Sequence, residues 1–183
     1  MAAPVPVEVF REGMRRLAAS VTVLTTRRPD GGRVGMTATA VCSVSGEPPI
    51  LLCCVNRANA TRQAFVEAGV YAVNVLAEGE QEIASRFAAR MDAEERFARG
   101  AWTTLETGAP VLESAVASFD CRIVQTVETG THSIFFGEIL AIAMRGAHVM
   151  PLLYAHGNYG GFSGVEAALN DIFWTPDWQV YDQ

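Results

Sequence analysis

Residues 35–41, GMTATAV, combine small and hydroxyl-bearing side chains in a stretch that is typical of a β-strand. Side chains this small leave the backbone amides of a strand accessible. A planar, polar ring such as that of a flavin binds well to such a surface, because its carbonyl groups need amide partners and its face needs little bulk beneath it. An ordinary half-exposed, threonine-rich strand has the same composition, so both interpretations stay open.

Residues 56–62, NRANATR, follow an apolar run and begin a pattern that predicts a helix. They place Arg57, Asn59, Thr61 and Arg62 at the expected helix start. The free amides and the dipole of a helix start favour an anion such as a phosphate, and arginine adds positive charge. A helix N-cap without any ligand has the same residues, so this alternative also stays open.

The order of the two segments along the chain is more informative than either segment alone. The first segment is followed by a break at 46–49, GEPP, and then by an apolar run at 50–55 that predicts a buried strand. The second segment follows that strand directly. This order suits a mononucleotide that lies across two adjacent strands.

His132 is the third candidate, because it follows a glycine and precedes an alternating apolar run in GTHSIFFGEI, residues 130–139. The sequence has no His-x-x-x-His or Cys-x-x-Cys pair for a metal and no Gly-x-Ser-x-Gly turn for a nucleophile. The glycines at 157, 160, 161 and 164 do not match the Rossmann spacing. His132 is therefore either a working residue at the end of a strand or a turn residue.

Composition narrows the class of protein. The chain has 183 residues, half of them hydrophobic, with a net charge of -6, and all of its basic residues are arginine. An acidic chain without a basic run argues against nucleic acid as a partner, and the lack of lysine excludes Schiff-base and P-loop chemistry. We expect no membrane span and no signal peptide. We expect four free thiols and a cytoplasmic location, the cysteines being Cys42, Cys53, Cys54 and Cys121.

The hydrophobic pattern predicts more strands than helices. Helices are expected over 7–19, 56–69 and 78–97, and strands over 20–26, 34–44, 50–55, 70–76, 117–129 and 133–145. A last short strand is expected to open into a glycine-rich loop over 152–162. The turn at 28–33, RPDGGR, makes 20–44 a hairpin. Strands without regular helical crossovers favour an antiparallel sheet or a small barrel.

Four ordered motifs resemble those of the short-chain flavin reductases that serve two-component flavin monooxygenases. They are GMTATAVCSVSGEPPILLCCVNR, YAVNVL, SFDCRI and GTHSIFFGEI. The pattern is similar to the reductases of 4-hydroxyphenylacetate 3-monooxygenase and of pyrimidine utilisation, and it covers about residues 15–160. The resemblance implies a mainly β fold with flanking helices, a split β-barrel of the FMN-binding type. It also implies a homodimer that reduces FMN, or FAD, with NADH or NADPH for a separate monooxygenase.

The same resemblance assigns residues to the site. Met36, Thr37, Ala38 and Thr39 would line the flavin ring; Cys53, Val55 and Asn56 would lie along its tail; and Ala58, Asn59 and Thr61 would hold the phosphate. Phe87 and Tyr159 match aromatic residues near the pocket. His132 would contact the nicotinamide and act as the catalytic residue, although Thr131 stands where many members have aspartate.

We expect one flavin-binding domain over 1–165. The aromatic, acidic tail over 166–183 has no counterpart in the family pattern, and it either covers the flavin or the dimer partner or packs as an extra segment. Two other functions fit the same motifs. A bound flavin could pass electrons to another acceptor such as a corrin, or the barrel could bind flavin without catalysis.

Overall fold

Strands dominate the computed structural model, which describes residues 3–146 and 148–162. Its helices are α1 (Val7–Met14), α2 (Thr61–Ala68), α3 (Gln81–Ala88) and α4 (Ala93–Arg96). Its strands are β1 (Ala19–Ser20), β2 (Thr22–Arg27), β3 (Arg33–Ala38), β4 (Val41–Gly46), β5 (Pro49–Asn56), β6 (Val70–Val75), β7 (Trp102–Thr104), β8 (Pro110–Leu112), β9 (Ala117–Thr129), β10 (His132–Met144), β11 (Leu153–Ala155) and β12 (Asn158–Gly160). Within the described ranges, no helix is both long and apolar enough to cross a membrane.

Seven strands form one antiparallel sheet in the order β3-β2-β6-β9-β10-β5-β4. The edge strands β3 and β4 are consecutive in the chain and are joined only by Thr39 and Ala40. Three Cα–Cα steps span at most about 11 Å, so the two edges must approach each other and the sheet must curl. Among the described residues no ladder joins β3 to β4, and the curled sheet therefore stays open along this line.

Alternate residues of the strands fill the inside of the curled sheet. Cys53 and Val55 of β5, Tyr71 of β6 and Phe135 of β10 have no exposed surface there. Phe65 of α2 joins them, with its ring stacked 5.5 Å from that of Tyr71. Burial of each large side chain stabilises the fold by roughly 1.5–3 kcal/mol, so α2 is fixed to the sheet by the same core that holds the strands together.

A second cluster packs α3 and α4 against the sheet. The ring of Phe87 lies 5.0 Å from that of Phe97 and 5.4 Å from that of Trp102, all measured between centroids. Val21 and Leu76 complete this cluster from the sheet side. The cluster therefore fixes the position of α3 beside β2 and β3.

A buried amide attaches the β7–β8 hairpin to the sheet. Nδ2 of Asn74 donates to the carbonyl of Val23 (3.0 Å), while its Oδ1 accepts from the N–H of Leu112 (2.8 Å) and the hydroxyl of Ser118 (2.9 Å). Each bond contributes about 1 kcal/mol, and loss of a buried partner costs more. The hairpin was not predicted, because its strands are short and carry no clear alternation.

Two predicted helices are shorter than the sequence pattern suggested. The helix predicted over 56–69 begins only at Thr61, because Asn56 and Asn59 fold the preceding residues into turns; it ends at Gly69, as predicted, with φ at 67°. The helix predicted over 7–19 ends at Met14. The stretch predicted over 78–97 forms two helices, because Ala89 is extended with ψ at 158°.

The predicted hairpin over 20–44 is present, with Thr22 opposite Ala38. Its second strand is interrupted at Thr39 and Ala40, where the chain passes from one sheet edge to the other. The short strand predicted at the start of 152–162 is present as β11, and the predicted glycine-rich loop instead folds back as β12 to form a hairpin. It turns at Gly157, whose φ of 82° suits glycine.

Candidate active site

β3 offers backbone groups to a ligand because it is an edge strand and pairs with β2 alone. The carbonyl of Gly35 lies on the free edge, where it accepts a hydrogen bond from Nη1 of Arg96 (2.7 Å). Backbone direction alternates along a strand, so the N–H and C=O groups of Thr37 lie on the same free edge. This edge supplies the donor and acceptor that a ring with carbonyl and imide groups requires.

A groove of about 240 Å³ lies beside the end of β3. It is lined by Val21, Thr37, Ala38, Thr39, Ala88, Tyr154 and Tyr159. Four of the residues predicted from the sequence are therefore brought together here: Thr37, Ala38, Thr39 and Tyr159. Met36 is partly buried and packs against the core inside the curled sheet, so it supports the strand from within.

Tyr154 is a groove residue that sequence reasoning missed. It stands opposite Tyr159 in the β11–β12 ladder, and the two ring centroids are 5.5 Å apart in an edge-to-face arrangement. The signal was present in the sequence, because a hairpin that turns at His156 and Gly157 pairs these tyrosines automatically. Together they form an aromatic wall opposite the small residues of β3.

Close packing beneath β3 holds the strand in place. A Cβ on Gly35 would lie 2.8 Å from the carbonyl oxygen of Leu24 and 2.9 Å from Cε1 of Phe87. Phe87 is only 2% exposed, so its side chain supports β3 from below and does not line the groove. The hydroxyl of Thr37 donates to the carbonyl of Ala84 (2.6 Å), which fastens the strand to α3.

Residues 56–62, the predicted phosphate segment, form two turns ahead of α2, each closed by an asparagine side chain. Oδ1 of Asn56 accepts from the N–H of Ala58, and Oδ1 of Asn59 accepts from the N–H of Thr61, both at 2.9 Å. The hydroxyl of Thr61 is buried against the carbonyl of Gly35 at 3.5 Å. Two amides that the sequence assigned to a phosphate are thus already paired with asparagine oxygens, and an anion here would compete with those oxygens.

The structure brings the two predicted segments together, as their order suggested. At one end of β3, the carbonyl of Ala40 accepts from the N–H of Cys54 (3.0 Å). At the other end, Thr61 reaches Gly35. Residues 35–39 span about 13 Å of strand, so a ligand extended along β3 can contact both segments.

The side chains of Cys53 and Val55 point into the core and have no exposed surface. Only their backbone can approach a ligand, whereas Cys54 and Asn56 between and after them face outwards. Burial raises the pKa of the Cys53 thiol far above its ordinary value and that of Cys121 to about 12, so both thiols stay protonated. All four cysteines are free.

His132 lies at the end of β10, directly opposite Asn56 of β5. Its Nδ1 is 2.8 Å from the hydroxyl of Thr131, and the carbonyl of Thr131 accepts from the N–H of Arg57 (2.9 Å). The residues lining the β3 groove include none from β10, so within one chain His132 neighbours the phosphate segment and not the groove.

The arginines of the phosphate segment are partly neutralised by Glu128, which sequence reasoning missed. Nη2 of Arg62 lies 2.6 Å from Oε1 of Glu128, and Nε of Arg57 lies 3.4 Å from Oε2. The hydrogen bond from Arg62, followed by one from Ser133, lowers the pKa of the Glu128 carboxyl below its ordinary value. One positive charge therefore remains for an anion at this end.

Residues 14–163 match the family described as "Flavin reductase like domain". The chain belongs to this family. The family membership inferred from the four sequence motifs is thereby confirmed. The curved, open sheet is the split-barrel type of fold that membership implied.

Individual relatives support the same family assignment. The FMN reductase (NADH) RutF of Variovorax paradoxus is 49% identical over 150 residues, which are 82% of each chain. The NADH:FAD oxidoreductase SgcE6 of Streptomyces globisporus superposes with a TM-score of 0.81 at 30% identity, over 90% of this chain and 98% of that one. BorF, the flavin reductase component of a bacterial two-component tryptophan halogenase, superposes with a TM-score of 0.79 at 31% identity, over 87% of this chain and all of that one.

The residues of this flavin reductase domain fit a flavin. The free edge of β3 provides amide and carbonyl partners, Gly35 keeps the strand close to its support, and the tyrosine pair provides an aromatic wall. The start of α2 lies at the far end of the same strand. A flavin mononucleotide needs such a polar ring platform and an anion site about one ribityl chain away.

Proposed function

We propose that the protein catalyses the reduction of FMN by NADH or NADPH and releases the reduced flavin to a separate monooxygenase. The observation that carries the proposal is the free edge of β3, with the backbone of Thr37 exposed beside the groove of small residues. The 49% identity to an FMN reductase (NADH) supports FMN and NADH as the preferred pair. The likeness to a reductase component of a two-component halogenase supports a diffusible product.

Each part of the chain then has a defined task. The FMN ring, when bound, supplies the hydride acceptor. The Thr37 backbone orients that ring, while Thr39 and the pair Tyr154 and Tyr159 limit its contact with water. The positive charge left by Arg57 and Arg62 beside the turns of Asn56 and Asn59 attracts the phosphate.

We propose that His132, which does not line the β3 groove within one chain, orients the nicotinamide by a hydrogen bond from its ring where the dinucleotide extends past the groove toward β10. Its Nδ1 is engaged by the hydroxyl of Thr131, which leaves Nε2 available to a ligand. We expect His132→Ala to lower kcat/KM for NADH about tenfold or more, with little change in the KM for FMN. Thr129→Ala is the matched control, because Thr129 stands directly opposite His132 on β9. Equal NADH oxidation by wild type and His132→Ala would contradict a role in the reaction.

We further propose a homodimer. The β9–β10 hairpin exposes apolar side chains that a partner subunit would cover, namely Val124, Val127, Leu140, Ile142 and Met144. A second subunit could also close the groove beside β3. The free state of all four cysteines supports a cytoplasmic location, where a reducing environment keeps thiols unpaired.

The domain assignment to residues 1–165 remains a proposal, supported by the family match over 14–163. The predicted tail, 166–183, lies outside the described residues.

A steady-state assay tests the function directly. Purified protein is mixed with FMN and either NADH or NADPH, and oxidation of the nicotinamide is followed by absorbance. We expect many turnovers per protein molecule that depend on added FMN. Absence of oxidation would overturn the proposal, and a single turnover with flavin retained on the protein would favour a bound electron carrier.

A further inference from the structure

Helix α1 has an apolar side that is largely exposed. None of the eight residues of Val7–Met14 is buried against the described part of the chain. Phe10 and Met14 lie four residues apart on one side of the helix and are 57% and 48% exposed, and Leu17, just beyond the helix, is 61% exposed. An isolated helix of this length is marginal in water, so a segment packed on this side would stabilise α1.

The apolar side of α1 forms one wall of a groove of about 300 Å³, the α1 groove. Phe10 and Met14 line it from the helix, and Tyr154 lines it from β11. The N–H of His156 donates to the carbonyl of Arg15 (2.7 Å), which fixes the β11–β12 hairpin to the end of the α1 region. The α1 groove is therefore a preformed, mainly apolar surface.

Two arginines give the α1 groove a positive charge. Arg11 and Arg15 line it, and among the residues that the structure describes no acidic side chain does. An apolar groove bordered by positive charge favours an occupant that is both apolar and acidic.

The tail, 166–183, has the complementary composition. It has no basic residue and carries four of the six net negative charges of the chain, on Glu166, Asp171, Asp177 and Asp182. It also contains four large aromatic side chains, Phe173, Trp174, Trp178 and Tyr181. Aromatic side chains contribute much of the contact energy where a segment packs into an apolar groove.

Both α1 and the tail extend beyond the part of the chain that matches the flavin reductase family. The match covers residues 14–163, whereas α1 begins at Val7 and the tail begins at Glu166. A contact between the two segments would therefore belong to this chain and not to the shared domain.

The hairpin that lines the α1 groove also leads into the tail. Tyr159 of β12 stands opposite Tyr154, and the tail begins seven residues after Tyr159. Seven residues span at most about 25 Å. A segment tethered this closely has an effective concentration on the order of millimolar, which favours the tail over a separate partner protein.

We propose that the tail, 166–183, packs into the α1 groove of its own chain. Its aromatic side chains cover Phe10 and Met14, and its carboxylates lie near Arg11 and Arg15. Because the α1 groove adjoins the groove beside β3, the docked tail borders the proposed flavin site. The inference goes beyond the proposed function and does not depend on it.

The first experiment changes the tail and measures α1. Hydrogen exchange of the α1 amides is followed by mass spectrometry in the full-length protein. We expect Trp174→Ser/Trp178→Ser to speed this exchange at least about tenfold, because the helix loses its cover. Helix α4, which also has no buried residue, is the internal reference and should not change.

The matched control for the first experiment is Asn170→Ser/Gln179→Ser, which replaces two polar residues of the same tail. It should leave the exchange of α1 as in wild type. Equal α1 exchange in wild type and the tryptophan double variant would overturn the inference.

The second experiment changes α1 and measures the tail, which contains two of the three tryptophans of the chain. We expect Phe10→Asp to raise the acrylamide quenching constant of the tryptophan fluorescence about twofold, because a charge in the apolar groove releases the tail. Val9→Asp is the matched control, since Val9 is on the same helix and 60% exposed but does not line the α1 groove. Equal quenching of Phe10→Asp and wild type would contradict the docking.

Light scattering and protein concentration distinguish the tail from other occupants of the α1 groove. Dissociation of an oligomer by Phe10→Asp, with unchanged tryptophan quenching, would overturn the inference in favour of a contact between subunits. Exchange of α1 that slows as the protein concentration rises would overturn it in favour of the tail of a second copy. We expect neither result.

Both measurements are independent of turnover. If the wild type oxidises no NADH in the presence of FMN, the proposed function fails. Hydrogen exchange of α1 and quenching of the tail still decide whether the tail occupies the α1 groove.

Discussion

Gly35 links the support of β3 to its ligand-facing edge. Its missing side chain lets the strand lie directly on Phe87 and against the backbone of Leu24. Its carbonyl is held by Arg96, whose Nη2 also donates to the carbonyl of Ala89 (2.9 Å). A small displacement of Gly35 would therefore move Thr37 and with it the free edge of β3 that is proposed to bind the flavin ring.

We predict that Gly35→Ala destabilises the protein by about 1–3 kcal/mol, because the new Cβ would meet the Leu24 carbonyl oxygen at 2.8 Å and that backbone atom cannot rotate away. Urea unfolding measures the change. Gly13→Ala is the matched control, since nothing lies within 4 Å of its Cβ and alanine favours the exposed helix. Equal unfolding midpoints for Gly35→Ala and wild type would show that the strand is not fixed by this contact.

At the scale of elements, the start of α2 combines two tasks. Asn59 closes the turn ahead of the helix by accepting a hydrogen bond from the N–H of Thr61, and it also stands where the flavin phosphate is proposed to bind. A substitution that keeps this acceptor but changes the charge separates these tasks.

We predict that Asn59→Asp leaves the free energy of unfolding within about 0.5 kcal/mol of wild type, because an aspartate carboxylate accepts the same hydrogen bond from the N–H of Thr61. The KM for FMN should rise about tenfold, since a carboxylate repels the phosphate. Riboflavin, which lacks the phosphate, is the control substrate and should be unaffected. An equal change of KM for riboflavin and FMN would place the phosphate elsewhere.

The sequence predicted most elements but not all of their ends. Alternation identified β9 and β10, and the turn at 28–33 identified the β2–β3 hairpin. Local hydrogen bonds from side chains to the backbone compete with helix formation, and they produce the turns at Asn56 and Asn59. The extended backbone of Ala89 likewise interrupts a helix. The hydrophobic periodicity of the sequence shows neither effect. The β7–β8 hairpin depends on the buried Asn74, a tertiary partner distant in sequence.

The sequence motifs named residues that lie close together in the fold where backbone and small side chains define the candidate site, but they did not show which residues tertiary packing buries or pairs. Thr37, Thr39 and Tyr159 line one groove, and their contact with a flavin remains a prediction. The burial of Phe87 and the pairing of Arg62 with Glu128 depend on which elements pack together, and neither is visible in a local motif.

At the scale of the whole molecule, the open line between β3 and β4 and the apolar β9–β10 hairpin both leave surface that a second subunit would cover. We predict a dimer by light scattering, and we expect Ile142→Glu to shift it toward monomer because a buried charge is costly. Val66→Glu is the matched control, since Val66 on α2 is 47% exposed and Ile142 is 49% exposed. A wild-type monomer with full activity would contradict the dimer.

The central claim is that the β3 groove presents FMN for reduction and then releases it. The most direct measurement is an anaerobic reaction of a trace of protein with excess FMN and NADH, followed by loss of both the nicotinamide and the oxidised flavin absorbance. We expect complete reduction of the excess FMN, at a rate proportional to protein concentration. Reduction that stops after one flavin per protein molecule, or none at all, would contradict it.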